Sequence, residues 1–216
     1  MNEQIFKAMT QSVIDGESED AENLALQAIE LGIDPLEAIN KGFVVGVDHV
    51  GNSFSCGDAF LPELVMAGEA MKAAVNVLEP EMSKQGTERK MLGTVVLGTI
   101  EGDIHDIGKT LVGTMLSSSG FKVFDLGVDV PVMTLVERAR AENADIIGVS
   151  ALLTTTMVRQ RDVIKALEDM GLRSTIKVMV GGAPVTREWV KAIGADGFSE
   201  DAVGAVAVAK ELLKEA

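Results

Sequence analysis

The stretch MLGTVVLGTIEGDIHDIGKT, residues 91–110, begins with a short apolar run and continues into glycines, acidic residues and one histidine. The apolar run predicts a buried strand, and the residues from about His105 onward predict a helix. The same alternation continues along the rest of the chain, which predicts βαβ units with parallel strands in one sheet and helices on both faces. The later apolar runs are KVFDLG, ADIIGVS, IKVMVGG and ADGF, and the later helices begin near Val132, Thr155, Thr186 and Ala202.

The order of the five predicted strands locates a candidate binding site. Five strands in this alternation most often take the flavodoxin-like order 2-1-3-4-5, and ligands then bind beyond the carboxyl ends of the strands, where the order reverses between strands 1 and 3. Polar residues and glycines occupy those ends here. They are Asp103, His105 and Gly108 after strand 1, Ser150 to Thr156 after strand 3, Gly181 and Gly182 after strand 4, and Gly197 after strand 5.

Residues 1–86 show helical periodicity instead, with two segments in which apolar residues recur at helical spacing. DPLE, residues 34–37, has an N-cap aspartate, a proline at the first helical position and a glutamate three residues after the cap. These features predict the start of a third helix, which runs to about Phe54. The apolar residues of the first two segments are Ile5, Met9 and Val13, and Leu24, Ala28 and Leu31.

A fourth predicted helix runs from Pro62 to about Ser83. Four helices joined by short loops predict a small antiparallel bundle. The polar stretch SKQGTERK, residues 83–90, then interrupts the pattern. We therefore expect a helical domain over residues 1–86, a linker at about 83–90, and a Rossmann-like, doubly wound parallel five-stranded α/β domain over residues 91–216. The predicted apolar stripe of the fourth helix consists of Met66, Ala70, Ala73, Val77 and Leu78.

The composition argues against several classes of function. The chain has 33 acidic and 19 basic residues and a formal net charge of −14, which disfavours nucleic acid and anionic membranes as partners. Cys56 is the only cysteine, so we expect no internal disulfide and no thiolate metal cluster, as fits a reducing compartment. The N-terminal residues lack the pattern of a signal peptide, and no apolar run approaches the roughly 20 residues that span a bilayer. We expect a cytoplasmic protein.

Two nucleotide-binding motifs match poorly at the first strand end. Gly108, Lys109 and Thr110 fit the end of a phosphate-binding P-loop, but Asp103 stands where its first glycine belongs and would direct negative charge at a phosphate. The glycine pattern of a dinucleotide site is also absent from this turn. Asp125, at the end of strand 2, is then better interpreted as a loop cap than as a ribose ligand.

His105 is a candidate metal ligand. A ligating histidine usually has its second ring nitrogen bound by a carboxylate, and Asp103 lies two residues away in a tight loop. The alternative is that His105 is an ordinary residue at a helix N-terminus. The other histidine, His49, belongs to the helical half, and the chain has no cysteine cluster or His-x-x-x-His pair. A zinc or iron site built from protein alone is therefore not expected, and other ligands would have to come with a cofactor.

Three spaced elements resemble the signature of cobalamin-binding modules. DIHDIG, residues 103–108, matches D-x-H-x-x-G, and 41 residues separate it from the Ser-x-Leu element at 150–152. Another 28 residues precede Gly181 and Gly182. The resemblance implies that His105 is the lower axial ligand of cobalt in place of the cofactor's own base, and that Asp103 and Thr156 form a hydrogen-bond relay to it. Methionine synthases have serine where this chain has Thr156, which keeps the hydroxyl.

The same resemblance implies the cofactor and its contacts. The cofactor would be cobalamin or a related corrinoid in the His-on, base-off state, as methylcob(III)alamin or cob(I)alamin. Glycines 108, 148, 181, 182 and 197 would leave room for the displaced nucleotide tail, although each alone also fits an ordinary turn. The implied contacts in this domain are Asp103, Ile104, His105, Asp106, Ile107, Gly108, Ser150, Leu152, Thr154, Thr156, Gly181, Gly182, Ala183, Gly197 and Phe198.

The resemblance extends to the helical half. VGNSFSCGDAFLPELVMAGEAMKAAVNVLEP, residues 50–80, is similar to the cap of cobalamin-dependent methionine synthase and of stand-alone corrinoid proteins. It implies that Phe54 and Leu61 shield the methyl-bearing face of the corrin. The alternative is that both side chains belong to the core of the bundle.

Together these similarities imply a methyl carrier without catalytic residues of its own, since 216 residues leave no stretch for a catalytic barrel of about 250 residues. A substrate-specific methyltransferase would load it from a methylamine, quaternary amine or betaine, methanol or methoxy compound. A second methyltransferase, serving tetrahydrofolate or coenzyme M, would unload it, and a corrinoid reductive activase would be a third partner. The alternatives are the B12-binding subunit of an adenosylcobalamin mutase, which would not need the cap, and a B12-sensing regulator, which would normally bring a DNA-binding element.

Overall fold

The computed structural model describes residues 2–84 and 91–214 of the chain, which divides into two compact units, residues 1–90 and 91–216. The last helix of the first unit continues to Lys84. The rest of the linker expected at 83–90 lies outside the described residues. Within residues 2–84 and 91–214, no helix is both long and apolar enough to cross a membrane.

The first unit is helical, as expected. α1 packs along α4, and α2 packs along α5. α3, a π-helical turn and α4 follow one another without a break, so the predicted third helix is one rod with a local widening. Its predicted start is confirmed, because the Asp34 carboxylate accepts a hydrogen bond from the Glu37 N–H at 2.9 Å and Pro35 occupies the first helical position. The elements are α1 (Asn2–Ile14), α2 (Ser18–Glu30), α3 (Pro35–Ala38), the π-helical turn (Ile39–Phe43), α4 (Val44–Cys56) and α5 (Leu61–Lys84).

Two of the predicted apolar stripes need correction. In α5, Met66 is exposed and Ala73 and Val77 are only half-buried, although Ala70 and Leu78 are buried. In α2 the buried face consists of alanines, and Leu31 is exposed. α5 carries apolar residues on more than one side, so helical periodicity alone does not select the face that packs. The buried residues of α5 include Leu64, Ala67, Ala70, Met71, Ala74, Leu78 and Met82.

The second unit is a five-stranded sheet in which every pair of neighbouring strands is parallel, and the predicted order β2-β1-β3-β4-β5 is confirmed. β1 and β3 are buried along most of their length because helices cover both faces. The strands are β1 (Thr94–Thr99), β2 (Lys122–Asp125), β3 (Ile146–Ser150), β4 (Lys177–Gly181) and β5 (Gly197–Phe198). The helices are α6 (Ile107–Ser118), α7 (Val132–Ala141), α8 (Thr154–Met157), α9 (Gln160–Asp169), α10 (Arg187–Ile193) and α11 (Ala202–Leu212).

Each face of the sheet has its own helical layer. α7 packs against β1, β3 and α9, while α6 packs against β1, β2 and α11. Val96, Ile147 and Val178 belong to the core beneath α7 and α9. This layering leaves the carboxyl ends of β1, β3 and β4 side by side at one edge of the sheet.

Candidate functional site

The loop between β1 and α6 begins with a tight turn. The Asp103 N–H donates to the Ile100 carbonyl at 3.0 Å, and Gly102 has φ 86°. This is a type II turn, whose third residue needs a positive φ and therefore favours glycine. The predicted helix starts two residues later than expected, at Ile107, so His105 lies in the loop rather than in the first turn of the helix.

The carboxylate of Asp103 connects this loop to the loop after β3. Asp103 is fully buried. Its Oδ1 lies 2.6 Å from His105 Nδ1 and accepts the His105 backbone N–H at 3.1 Å. Its Oδ2 accepts hydrogen bonds from the Leu152 N–H at 2.8 Å, the Leu153 N–H at 3.2 Å and the Thr156 hydroxyl at 2.6 Å. The structure thus brings together the Asp103, His105 and Thr156 side chains that the sequence singled out.

These hydrogen bonds determine the charge state of Asp103. Burial alone would raise the pKa of the carboxyl, but the hydrogen bonds from Thr156, His105 and Leu152 outweigh it and hold the pKa of Asp103 well below its usual range. An ionised carboxylate next to Nδ1 keeps the proton on that nitrogen. Nε2 of His105 is then the ring nitrogen with a free lone pair, and the side chain is 46% exposed.

Several large apolar side chains on the loop of His105 and on the adjoining loop after β3 are exposed. Ile104 is 75% exposed and Ile107 is 78% exposed, and they flank the histidine in the chain. Leu152 and Leu153, whose N–H groups bind Asp103, are also exposed. Exposed apolar groups concentrated on two adjoining loops are typical of a ligand-binding surface.

The glycines predicted to line a slot fall into two groups. A Cβ added at Gly108 or Gly181 would meet no atom within 4 Å, so both positions border open space. Gly182, with φ 120°, packs so closely on Ala151 that a Cβ would overlap the Ala151 carbonyl oxygen. A Cβ at Gly197 would press on Val208 of α11, so helix packing is a competing explanation for that glycine. At Gly148 the competing explanation is packing within the sheet, because a Cβ there would overlap the side chain of Leu97 in β1.

The remaining predicted contacts lie at the same edge of the second unit or in the first unit. Ser150 ends β3 beside Gly181, and Thr154 opens α8. Asp106 is the N-cap of α6, Ala183 follows the two glycines, and Phe198 ends β5. Phe54 is half-buried in α4, and Leu61 is exposed at the first position of α5.

One buried cation near the site was not predicted. Lys109 is 4% exposed, and its ammonium binds Asp106 Oδ1 at 2.8 Å and both carboxylate oxygens of Asp125. The hydrogen bond from Lys109 lowers the pKa of Asp106. Asp125 also accepts the Gly127 N–H at 2.9 Å, as the interpretation of a loop cap requires. The sequence shows both partners, but 16 residues separate Lys109 from Asp125, and only the fold pairs them.

The carboxylate of Asp129, which was not predicted to be near the site, stabilises the turn at Gly102. Asp129, after β2, has φ 53°, an unusual value for a residue other than glycine. Its carboxylate accepts the Gly102 N–H at 2.7 Å, and its own N–H donates to the Asp103 carbonyl at 2.9 Å. The loop after β2 therefore supports the β1–α6 loop from the side opposite Thr156.

The residues at this site fit a metal ion whose other ligands are supplied by a bound cofactor. Among residues 2–84 and 91–214, no three His, Cys, Asp or Glu side chains are grouped closely enough to hold a metal ion. His105 has a half-exposed side chain with one ring nitrogen left for a ligand, on a loop with exposed apolar residues and open space at Gly108. A large, flat, mostly apolar metal complex with one vacant axial position suits such a surface, whereas a hydrated ion does not.

Comparisons with known proteins identify the family to which this chain belongs. Residues 93–207 match a protein-family model described as "B12 binding domain", and residues 5–79 match a second model with the same description. The chain is 55% identical to dimethylamine corrinoid protein 2 of Methanosarcina acetivorans over 181 residues, which cover 84% of this chain and 83% of the relative. It is 47% identical to trimethylamine corrinoid protein 1 of Methanosarcina mazei over 211 residues, which cover 98% of each.

A solved structure extends the similarity to three dimensions. The methanol:cobalamin methyltransferase complex MtaBC from Methanosarcina barkeri contains a chain that is 30% identical in sequence and superposes with a TM-score of 0.88. The match covers 99% of this chain and 81% of that one. These similarities favour a carrier over a mutase subunit or a sensor. The chain belongs to the family of B12-binding corrinoid proteins, whose cofactor is a corrinoid and whose function is to carry methyl groups as a subunit of a multi-component methyltransferase system.

Proposed function

We propose that this protein carries methyl groups derived from a methylated amine, with dimethylamine or trimethylamine as the donor. The support is the relatives' specificity: the proteins with 55% and 47% identity are a dimethylamine and a trimethylamine corrinoid protein. The related chain in the methanol complex is more distant, at 30% identity. The other donors considered from the sequence, methanol, betaines and methoxy compounds, are the alternatives that an assay must exclude.

The observation that carries the proposed role of the site is the arrangement around His105. Its Nδ1 is bound to a buried, ionised carboxylate, its side chain is half-exposed, and the loop that carries it and the adjoining loop have exposed apolar side chains. We infer that Nε2 is the lower axial ligand of the cobalt in a His-on, base-off corrinoid. When bound, the corrinoid supplies a cobalt centre that accepts and releases a methyl group.

The protein's own residues orient and tune that ligand. Asp103 holds the proton on Nδ1 and makes Nε2 a stronger donor. Thr156 and the Leu152 N–H fix the carboxylate, so the imidazole has one orientation. The apolar side chains of Ile104, Ile107 and Leu152 would cover the lower face of the macrocycle. Gly108 and Gly181 would leave room for the displaced nucleotide tail.

The helical unit is proposed to protect the cofactor's methyl group from water and oxygen. Leu61 is exposed at the start of α5, and Phe54 is half-buried in α4, so both side chains retain apolar surface that could cover a ligand. That surface supports the proposal that they shield the methyl-bearing face.

The proposed partners are the proteins that a methyl carrier needs in order to be loaded, unloaded and reactivated. The methyltransferase in the related complex supports a substrate-specific methyltransferase as the donor-side partner. A second methyltransferase that serves tetrahydrofolate or coenzyme M, and a reductive activase, complete the proposed set. A cytoplasmic location would suit all three, and the single cysteine fits a reducing compartment.

A transfer assay tests the donor. The holo-protein is first reduced chemically to the Co(I) state, which is the state that accepts a methyl group. It is then incubated with methyltransferases specific for monomethylamine, dimethylamine, trimethylamine, methanol, betaine and a methoxy compound, each with its substrate, and methylation of the bound cofactor is followed by visible absorption. We expect rapid loading by the dimethylamine or trimethylamine enzyme only. Loading by only the monomethylamine, methanol, betaine or methoxy-compound enzyme would contradict the proposed donor, while the assignment as a carrier would stand.

A further inference from the structure

Gln160, the first residue of α9, is a fully buried polar side chain outside the predicted site. Its Nε2 donates to the Val149 carbonyl at 3.0 Å and to the Gly181 carbonyl at 3.2 Å. Its Oε1 accepts the indole N–H of Trp189 at 3.0 Å. A buried amide is costly unless it is hydrogen-bonded, and here both of its ends are used.

These bonds hold the end of β4 in place. Gly181 is the last residue of β4, and Val149 lies in the neighbouring strand β3. The Gly181 carbonyl also accepts the Ala151 N–H at 3.1 Å. Two donors, one from the backbone and one from Gln160, therefore fix the orientation of the peptide between Gly181 and Gly182.

The peptide between Gly181 and Gly182 is tightly packed on the Gly182 side and borders open space on the Gly181 side. Gly182, with φ 120°, packs against the Ala151 backbone, where a Cβ would overlap the carbonyl oxygen. At Gly181, by contrast, a Cβ would meet no atom within 4 Å. A rotation of this peptide would change the width of the space beside Gly181, and Gln160 opposes that rotation.

Trp189 completes the support from α10. Its indole N–H binds Gln160, and the Arg161 guanidinium lies 5.2 Å from the centre of the ring. Gln160 is thus oriented by a side chain from another helix, while Arg161 contacts the indole without touching the amide. This difference provides a matched control.

We propose that Gln160 is a positioning residue that sets the shape of the space beside Gly181 and thereby favours corrinoids that carry a nucleotide tail. The proposal rests on the proposed function, in which the tail occupies this space. It assigns Gln160 no contact with the cobalt, with His105 or with Asp103. Its effect should therefore appear in the choice between complete and tail-less corrinoids rather than in axial ligation.

The test compares cobalamin with cobinamide, which has the same corrin ring but no nucleotide tail. The full-length apo-protein is equilibrated with an equal mixture of the two, and the bound corrinoids are separated and quantified. Gln160→Met keeps the length of the side chain and removes its three hydrogen bonds. We expect the cobalamin-to-cobinamide ratio to fall about tenfold, the change expected for hydrogen bonds of this kind. Cobinamide binding should change less than about twofold.

Two further variants keep the result interpretable. Arg161→Met, which removes only the contact with the ring, should leave the ratio at its wild-type value. Trp189→Phe removes one of the three hydrogen bonds and should lower the cobalamin-to-cobinamide ratio by less than Gln160→Met does. If Gln160→Met fails to fold, the ratio measured with Trp189→Phe tests the proposal instead. An unchanged ratio, or an equal loss of both corrinoids, would overturn the proposal. A wild-type protein that binds neither corrinoid would instead overturn the proposed function.

Discussion

The single carboxylate of Asp103 has several structural roles. It orients His105, it accepts two backbone N–H groups from the loop after β3, and it accepts the Thr156 hydroxyl. All of these bonds favour the ionised form, which is why a carboxylate can remain charged with no exposure to solvent. The contact with His105 was expected because Asp103 lies two residues away in a tight loop, and the contact with Thr156 was implied by the resemblance to cobalamin-binding modules. The backbone contacts depend on how the two loops meet, which no local pattern encodes.

Asp103→Asn tests this role. The amide keeps the size of the carboxylate but cannot accept from every donor around it, so we expect the fold to persist and corrinoid affinity to fall about 10–100-fold. At pH 7 the free energy of unfolding of the apo-protein should fall by about 1–3 kcal/mol. Denaturant titrations of both proteins measure the loss. A variant equal to wild type in affinity and stability would mean that Asp103 only shapes the turn.

The loss of stability in Asp103→Asn should depend on pH, and the direction of this dependence follows from the lowered pKa of Asp103. Because the pKa of Asp103 is lowered in the folded state, its contribution to stability is fully present above the pKa of an unfolded aspartate, about 3.9. The contribution decreases as the pH falls further toward the folded pKa. The difference between wild type and Asp103→Asn should therefore be constant from pH 7 to about 5 and shrink toward pH 3. A difference that grew with acidification would contradict the ionised state of Asp103.

Thr156 offers a finer test, because its hydroxyl donates to Asp103 at 2.6 Å. Thr156→Ser keeps the hydroxyl, and Thr156→Val keeps the shape without it. We expect the serine variant to bind corrinoid within about twofold of wild type and the valine variant about tenfold more weakly. Titration of the apo-proteins with cobalamin compares them. Equal weakening in both variants would point to packing rather than to the hydroxyl.

The loops that follow the β-strands determine where the side chains of the site lie. The turn at Gly102 directs Asp103 inward, Asp129 fixes that turn from the loop after β2, and Lys109 ties the start of α6 to Asp125. Alternating apolar runs were sufficient to predict the sheet and its order. The ties made by Lys109 and Asp129 were missed because each joins residues that are distant in sequence.

Adjacent glycines at the end of β4 should respond differently to the same substitution. Gly182→Ala would place a Cβ against the Ala151 carbonyl oxygen at φ 120°, so we expect clear destabilisation. Gly181→Ala meets no atom within 4 Å, so its thermal midpoint should change little, while its affinity for cobalamin should fall if the tail fills that space. Thermal unfolding and cobalamin titration separate the two effects. Unchanged cobalamin affinity in Gly181→Ala would show that the tail does not pass this glycine.

The whole chain divides into two units with different folds, one helical and one α/β. The α/β unit contains the complete Asp103–His105–Thr156 arrangement, and each unit matches a B12-binding domain model. The helical unit was predicted as a bundle; the start of its third helix was correct, and its fourth helix begins at Leu61, one residue before the predicted Pro62. Two of its packing faces were assigned wrongly, because a helix as apolar as α5 has more than one side that could be buried.

Phe54→Ala tests the protective role of the helical unit. We expect normal helical content, a loss in stability smaller than the roughly 1.5–3 kcal/mol of a fully buried side chain, and normal corrinoid stoichiometry. Photolysis or oxidation of the bound cofactor should become faster. Phe60→Ala is the control, because Phe60 is 68% exposed nearby and has no proposed role. An unfolded helical unit with unchanged cofactor lifetime would identify Phe54 as a core residue only.

Nitrogen splitting in the electron paramagnetic resonance spectrum of the Co(II) protein shows directly whether His105 binds the cobalt. The protein is labelled with ¹⁵N-histidine and loaded with unlabelled cobalamin, alongside His105→Ala and, as the control, His49→Ala. We expect labelling to change the axial-nitrogen splitting from a triplet to a doublet in wild type and in His49→Ala, and we expect His105→Ala to fold but to lose the doublet. A triplet that persists in the labelled wild type would show that the cofactor's own base, and not His105, binds the cobalt.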